Sequence, residues 1–207
     1  MKLGLVSDTH VPNALKRLPR VLLDALERAG VERILHAGDL TSAGVITSLE
    51  QVAPTVAVAG NMDPPEVRST VLQRVVVDAD GWKIGLQHGH QRQALQSRYI
   101  GLGYDQPEMQ LFYHAMTTQL PDAQIIVFGH FHVPVVRQWQ NVLFINPGAV
   151  APSYGRSTFA IVELAAAGDS ELPAERQVQM DRQRRTGSGT TSLPGVRVRI
   201  VELTRIR

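Results

Sequence analysis

Five short apolar runs in this chain each break off into a cluster of oxygen- and nitrogen-bearing residues: Asp8-Thr9-His10, Gly38-Asp39, Gly60-Asn61, His88-Gly89-His90 and Gly129-His130-Phe131-His132. An apolar, β-favouring run that stops at glycine or a turn-forming polar residue reads as a buried strand. Where such strands alternate with helical stretches they form a parallel sheet, and the loops at the carboxyl ends of its strands converge. The pattern therefore constrains the chain to an α/β fold whose polar groups gather at one end of the strands.

Residues 2–6, 31–36 and 55–59 are the first three runs. Between them, residues 14–29 carry Leu15, Leu18, Leu22, Leu23 and Leu26 at helical spacing and stop at Gly30, while residues 43–52 form a helix that Pro54 blocks. Further on, residues 71–77 and 82–86 read as strands around a turn at Asp80-Gly81. A helix over 108–120 and strands over 125–128, 142–145 and 158–164 follow. The early βαβαβ order predicts parallel pairing, and the later strand-rich run predicts a second sheet packed face to face on the first, with helices outside.

The chain has 207 residues, 43% hydrophobic and 19% charged, which suffices for one continuous core. A domain over 1–165 is expected, followed by a basic tail over 166–207 with eight Arg against five acids, a linker at about 181–195 and a terminal strand at 196–204. The net charge of +2 and an aromatic content of 5% argue against specific nucleic-acid binding. There is no cysteine, so thiolate ligands and disulfides are excluded. The N-terminal apolar run is too short for a signal peptide, and nothing approaches a membrane span, so the expected location is cytoplasmic.

The donor types point to cations. Neutral imidazole suits zinc, iron, nickel or cobalt, while carboxylate and amide oxygens suit manganese. Two Asp, one Asn and at least four His are enough for two ions, and a bridging carboxylate would hold them about 3.5–4 Å apart. Such a pair brings the pKa of water down to about 7 and neutralises phosphoryl oxygens, which is the chemistry of phosphate-ester hydrolysis. In an extended segment residues two apart point to the same side, so Asp8 with His10, and His130 with His132, are each expected to grip one ion. The glycines before Asp39, Asn61 and His130 let the backbone turn there.

Asp8-x-His10, Gly38-Asp39, Gly60-Asn61-x-Asp63, His88 and Gly129-His130-x-His132 resemble the calcineurin-like metallophosphoesterase superfamily. Within it the chain is similar to the small bacterial and archaeal phosphodiesterase branch, to which the retromer subunit Vps29 is also similar. The resemblance implies a four-layer α/β/β/α sandwich of two packed mixed β-sheets flanked by helices. It also implies Asp8, His10 and His132 on a first ion, Asn61, His88 and His130 on a second, and Asp39 as the bridge. Asp39, Asn61 and His90 would act in catalysis, with His90 on the substrate side. The cofactor implied is a pair of divalent ions, manganese favoured over nickel, cobalt, zinc or iron. The reaction implied is hydrolysis of a small phosphate ester, a phosphodiester before a monoester, by a metal-bridging hydroxide.

One position departs from the family. Many members have His after the Asn, where it is thought to protonate the leaving group or bind phosphate; here it is Met62, which can do neither. The competing expectation is a Vps29-like scaffold with weak or no catalysis, although a scaffold is free to lose these ligands and this chain keeps all seven. Free sheet edges leave a homodimer open. His36 on its apolar strand reads as a hydrogen-bonded core residue, His114 as structural or exposed, and Met109 and Met116 as core. Asp63 reads either as an acceptor for a ligand imidazole or as a loop cap. Asn146 and Arg156 read as turn and surface residues. The loops over 91–106 and 147–156 are expected to shape the substrate pocket.

Overall fold

A computed structural model of the chain describes residues 1–166 and 193–203. In chain order the elements are β1 (Lys2–Val6), α1 (Arg20–Ala29), β2 (Arg33–His36), α2 (Gly44–Glu50), β3 (Thr55–Ala57), α3 (Pro65–Arg68), β4 (Arg74–Ala79) and β5 (Trp82–Gln87). There follow α4 (Gln93–Gln96), α5 (Met109–Gln119), β6 (Ile125–Val127), β7 (Val135–Trp139), β8 (Val142–Asn146), β9 (Thr158–Leu164) and β10 (Val196–Glu202).

Two five-stranded mixed sheets result, in the orders β10-β9-β1-β2-β3 and β4-β5-β6-β8-β7. The expected parallel pairing of β1 with β2 and of β2 with β3 is present, as is a parallel β5-β6-β8 core in the second sheet. Strand alternation divides the apolar residues cleanly between layers. Leu3, Leu5 and Leu35 from the first sheet meet Ile84, Leu86, Ile125, Val127 and Ile145 from the second in the central layer. On the outer face of the first sheet, Val6, Ile34 and Ile161 pack under Leu22 and Leu26 of α1 and Leu49 of α2. On the outer face of the second, Ile126, Phe128 and Phe144 pack under Phe112, Tyr113 and Met116 of α5. Three apolar interfaces between four layers make the α/β/β/α sandwich.

The helix read over 14–29 begins only at Arg20, because residues 11–14 are turns and Pro19 takes the N-cap position. Leu15 and Leu18 still pack against the α1–α2 layer from this loop, so their periodicity reflects burial and not helix. Strand β7 was not legible: it follows Pro134, is only part-buried along its length, and lies at a sheet edge where alternation is weak. Helices α3 and α4 are single turns below the reach of periodicity. The turn at Asp80-Gly81 is present, with φ of 51° and 83° joining paired Ala79 and Trp82. Residues 196–202 of the stretch read as a terminal strand pair antiparallel with β9 at the sheet edge. Residues 181–192 of the expected linker, most of the expected basic tail and residue 204 lie outside the described residues.

Candidate metal centre

Each of the five polar clusters follows a strand at its carboxyl end, three from the first sheet (after β1, β2 and β3) and two from the second (after β5 and β6). The sheets meet there, and the loops lock together through backbone hydrogen bonds: Asp8 N–H to Gly38 O (3.0 Å), His10 N–H to Asp39 O (3.1 Å) and Gly129 N–H to His88 O (3.0 Å).

Asp8 with His10, and His130 with His132, were each expected to share an ion on extended backbone; Asp8 and His10 do converge, joined by His132, but His130 packs beside His88 and the backbone is not extended. Asp8, His10, Asp39, His130 and His132 all have positive φ, at 52°, 46°, 56°, 69° and 58°. Left-handed backbone costs a non-glycine residue roughly 1–2 kcal/mol, so five such residues at one place mark a conformation imposed by surrounding contacts. The glycines at 60 and 129 serve close approach instead of turning: an added Cβ would lie 2.0 Å from Asp39 Oδ1 at Gly60, and 1.9 Å from Ser7 Oγ at Gly129.

Asp8 Oδ1 lies 3.1 Å from His132 Nε2 and 3.9 Å from His10 Nε2, and the two ring nitrogens are 3.4 Å apart. Beside this group, His88 Nε2 lies 3.3 Å from Asp39 Oδ2 and 3.1 Å from Asn61 Oδ1. Asp39 Oδ2 is also 3.8 Å from His10 Nε2, so one oxygen stands between the two groups. Its other oxygen accepts the Met62 N–H at 2.8 Å. The His130 ring packs 5.2 Å from that of His88, with a buried Nε2 that has no hydrogen-bond partner among the described residues. His90 is exposed at the mouth, its ring 5.5 Å from His88 and 6.2 Å from His130. All seven residues expected to hold ions, and His90, are thus brought together.

Surrounding groups orient the donors. His88 Nδ1 donates to Ala37 O at 2.7 Å, which directs its Nε2 into the cluster. His132 Nδ1 contacts Ser153 Oγ at 3.2 Å, and Ser7 Oγ donates to Asp8 Oδ2 at 2.5 Å. Asp63 is a loop cap and touches no imidazole: its carboxylate accepts the N–H groups of Asp39 (3.2 Å), Gly60 (2.7 Å) and Thr41 (2.6 Å). Asn146, fully buried, spans Gly129 O and Gly148 N–H, and Arg156 is exposed. His36 accepts the Gly38 N–H at Nδ1 and faces Thr9 Oγ1 at 3.2 Å as a core residue, while His114 is exposed. Ser7 and Ser153 were missed: a serine has no metal-ligand signature, and Ser153 reaches His132 only through the fold.

Burial opposes charge on Asp8, but contact with His132, the nearby His88 charge and the Ser7 hydroxyl together hold its carboxyl below the usual range. Burial likewise opposes ionisation of Asp39, and His88 with the Met62 N–H outweighs it, to about 2. Against its own burial, His88 is raised to about 8 by Asp39 and Asp8, and His132 is raised by its contact with Asp8. Burial and the His88 charge push His130 down to about 4, and His90 is lowered for the same reasons. Two buried carboxylates therefore stay ionised beside imidazoles whose free nitrogens converge. A buried anionic cluster with an orphaned imidazole nitrogen fits bound cations, which would satisfy both.

Beside the cluster lies a cleft of 540 Å³ lined by residues 100–104, residues 130–133 and Tyr154. Both expected pocket loops contribute to it, through residues 100–104 and through Tyr154.

Residues 1–167 match the calcineurin-like phosphoesterase superfamily domain. The chain is 33% identical over 178 residues to a probable metallophosphoesterase of Methanothermobacter thermautotrophicus, covering 84% of this chain and 91% of that protein. It resembles the structure of an archaeal phosphodiesterase with a TM-score of 0.58 and 26% identity, over 81% of this chain and 95% of that one. Vps29 of Entamoeba histolytica, solved in complex with zinc, is similar with a TM-score of 0.62 and 25% identity, over 81% of this chain and 88% of that one. The chain belongs to the calcineurin-like phosphoesterase superfamily.

Proposed function

We propose that this protein is a two-metal phosphoesterase acting on phosphodiesters, and that the position of Asp39 Oδ2 between the His10 and His88 nitrogens carries the reading. Asp8, His10 and His132 hold one divalent cation, Asn61, His88 and His130 hold the other, and Asp39 is shared. The mixed oxygen and imidazole donors favour manganese, with nickel, cobalt, zinc and iron as competitors. Bound there, the cations would acidify a water and neutralise phosphoryl charge.

The chain's own groups do the rest. Asp39 turns Oδ2 toward the His88 and His10 nitrogens because Oδ1 is tied to the Met62 N–H. His88 is fixed by Ala37 O and His132 by Ser153, so their Nε2 atoms face the cluster. His90, on the open side and held below its ordinary value, is neutral at pH 7; it offers a hydrogen bond to a phosphoryl oxygen and carries no spare proton for a departing alkoxide. Met62, 56% exposed beside Asn61, supplies none either. The likeness to proteins named as a metallophosphoesterase and a phosphodiesterase supports the same reading.

The test is hydrolysis of bis(4-nitrophenyl) phosphate by metal-stripped protein reloaded in turn with manganese, nickel, cobalt, zinc or iron. Activity that returns with metal and is lost in Asp39→Ala and His132→Ala is expected. Absence of hydrolysis with every metal would remove the proposal. A scaffold role is the second reading, favoured by the Vps29-like fold and by Ile100, Leu102, Val133 and Tyr154 standing exposed together around the cleft. It requires that the protein hydrolyse no ester in this test even when loaded with metal, since the similar Vps29 was itself solved with zinc.

A further inference from the structure

Tyr154 stands where physical chemistry disfavours a tyrosine twice. It is 86% exposed, so its ring buries almost nothing, and its φ is +49° in a two-residue turn with Gly155 at +75°. Ser153 and Arg156 close the turn through reciprocal backbone hydrogen bonds of 2.8 and 2.9 Å. Positive φ at both central residues is the pattern of a type I′ turn, where Asn-Gly is preferred and an aromatic residue gains nothing locally. A strained, exposed aromatic residue that the turn does not need calls for an external reason.

The surroundings supply one. Ser153 of the same turn contacts His132 Nδ1, so the turn is tied to the metal centre. Tyr154 forms one wall of the 540 Å³ cleft, and residues 100–104, with exposed Ile100 and Leu102, also line it. His130 and His132 line it too, so it opens directly onto the cluster. Among the described residues its lining contains no Asp, Glu, Lys or Arg. A cleft of this volume suits a small organic group, and its chemistry rejects charge.

We propose that this cleft is a subsite for an uncharged planar ring, an aryl group or a nucleobase, esterified to the phosphate at the metal centre, and that Tyr154 stacks on that ring. This rests on the phosphoesterase reading and adds the class of substrate to it. Phosphate held at the metal centre leaves its ester substituent facing the apolar wall, where an aromatic face and branched side chains receive it.

Phenylphosphonate and methylphosphonate test this without turnover, because their carbon–phosphorus bonds are not hydrolysed. Both are titrated calorimetrically into the full-length manganese-loaded protein. Phenylphosphonate is expected to bind about tenfold more tightly, since ring stacking and apolar burial come from that end alone. Tyr154→Asn, which suits the left-handed turn, should reduce that advantage to about twofold or less with no loss of thermal stability, while Tyr154→Phe keeps it. Leu102→Ala, on the other wall, should reduce the advantage in part. Equal affinity of the two phosphonates in the unaltered protein, or an undiminished advantage in Tyr154→Asn, would overturn the subsite and leave the phosphoesterase reading intact. Failure of both phosphonates to bind with metal present would overturn both.

Discussion

Asp63 ties its own loop to the one after β2, since its two oxygens collect the N–H groups of Asp39 and Thr41 there and of Gly60 beside it, at 2.6–3.2 Å. Removing the carboxylate leaves three buried donors unpaired, so Asp63→Ala is expected to cost about 3 kcal/mol or more in urea unfolding, with Asp63→Asn intermediate. The titration of the cluster gives a second prediction. His88 is raised to about 8, so in metal-free protein its contribution to stability is complete below its ordinary 6.5 and is lost as pH rises through 8. Asp39 is depressed to about 2, so its contribution is present above its ordinary 3.8 and is lost as pH falls toward 2. A metal must displace the His88 proton to reach Nε2, so apparent manganese affinity should climb by up to about tenfold per pH unit for each proton released and level off above pH 8. Isothermal titration at pH 6, 7, 8 and 9 reads this slope; a flat profile would exclude His88 as a ligand. The third prediction concerns Met62. With neither Met62 nor His90 able to protonate a leaving group, rates should fall steeply as leaving-group pKa rises across a series of aryl phosphodiesters, and Met62→His should flatten that dependence. Equal rates across the series would contradict the assignment.

Helix α5 shows how an element far from the chemistry holds it in place. Phe112 packs 5.1 Å from Phe128 and 5.1 Å from Phe131, the residue between His130 and His132. The left-handed residues on either side of Phe131 are thus braced through its apolar contact with α5. Phe112→Ala is expected to cost about 3–5 kcal/mol through the cavity it leaves. It should also weaken metal binding, because the His130–His132 loop loses its support; thermal melts with and without manganese separate the two effects. Its register was legible because Met109, Phe112, Tyr113 and Met116 recur at helical spacing and all are buried. Strand β7 was not legible, because an edge strand that is part-buried along its length leaves no two-residue alternation to read.

Across the whole molecule, the first sheet contributes Asp8, His10, Asp39 and Asn61, and the second contributes His88, His130 and His132. Cations bound among them would tie the two sheets together at one end of the sandwich, so metal is expected to raise the melting temperature and chelation to lower it. Saturation at about a thousand times the dissociation constant should contribute about 4 kcal/mol, which calorimetric melts can verify. No described helix is long and apolar enough to cross a membrane. The sequence by itself determined the described strands other than β7 and the oxygen- and nitrogen-bearing residues that follow five of them. Those properties follow from residue type and local spacing, which the covalent chain carries. Only the tertiary structure decided that Asp8, His10, Asp39, His130 and His132 sit on left-handed backbone, that Asp39 turns Oδ2 between two imidazoles, that Ser153 holds His132 and that Tyr154 faces a cleft beside it. Each of these depends on contacts between distant segments, as where His10 meets His132 across 122 positions of chain, and no local pattern encodes such a meeting.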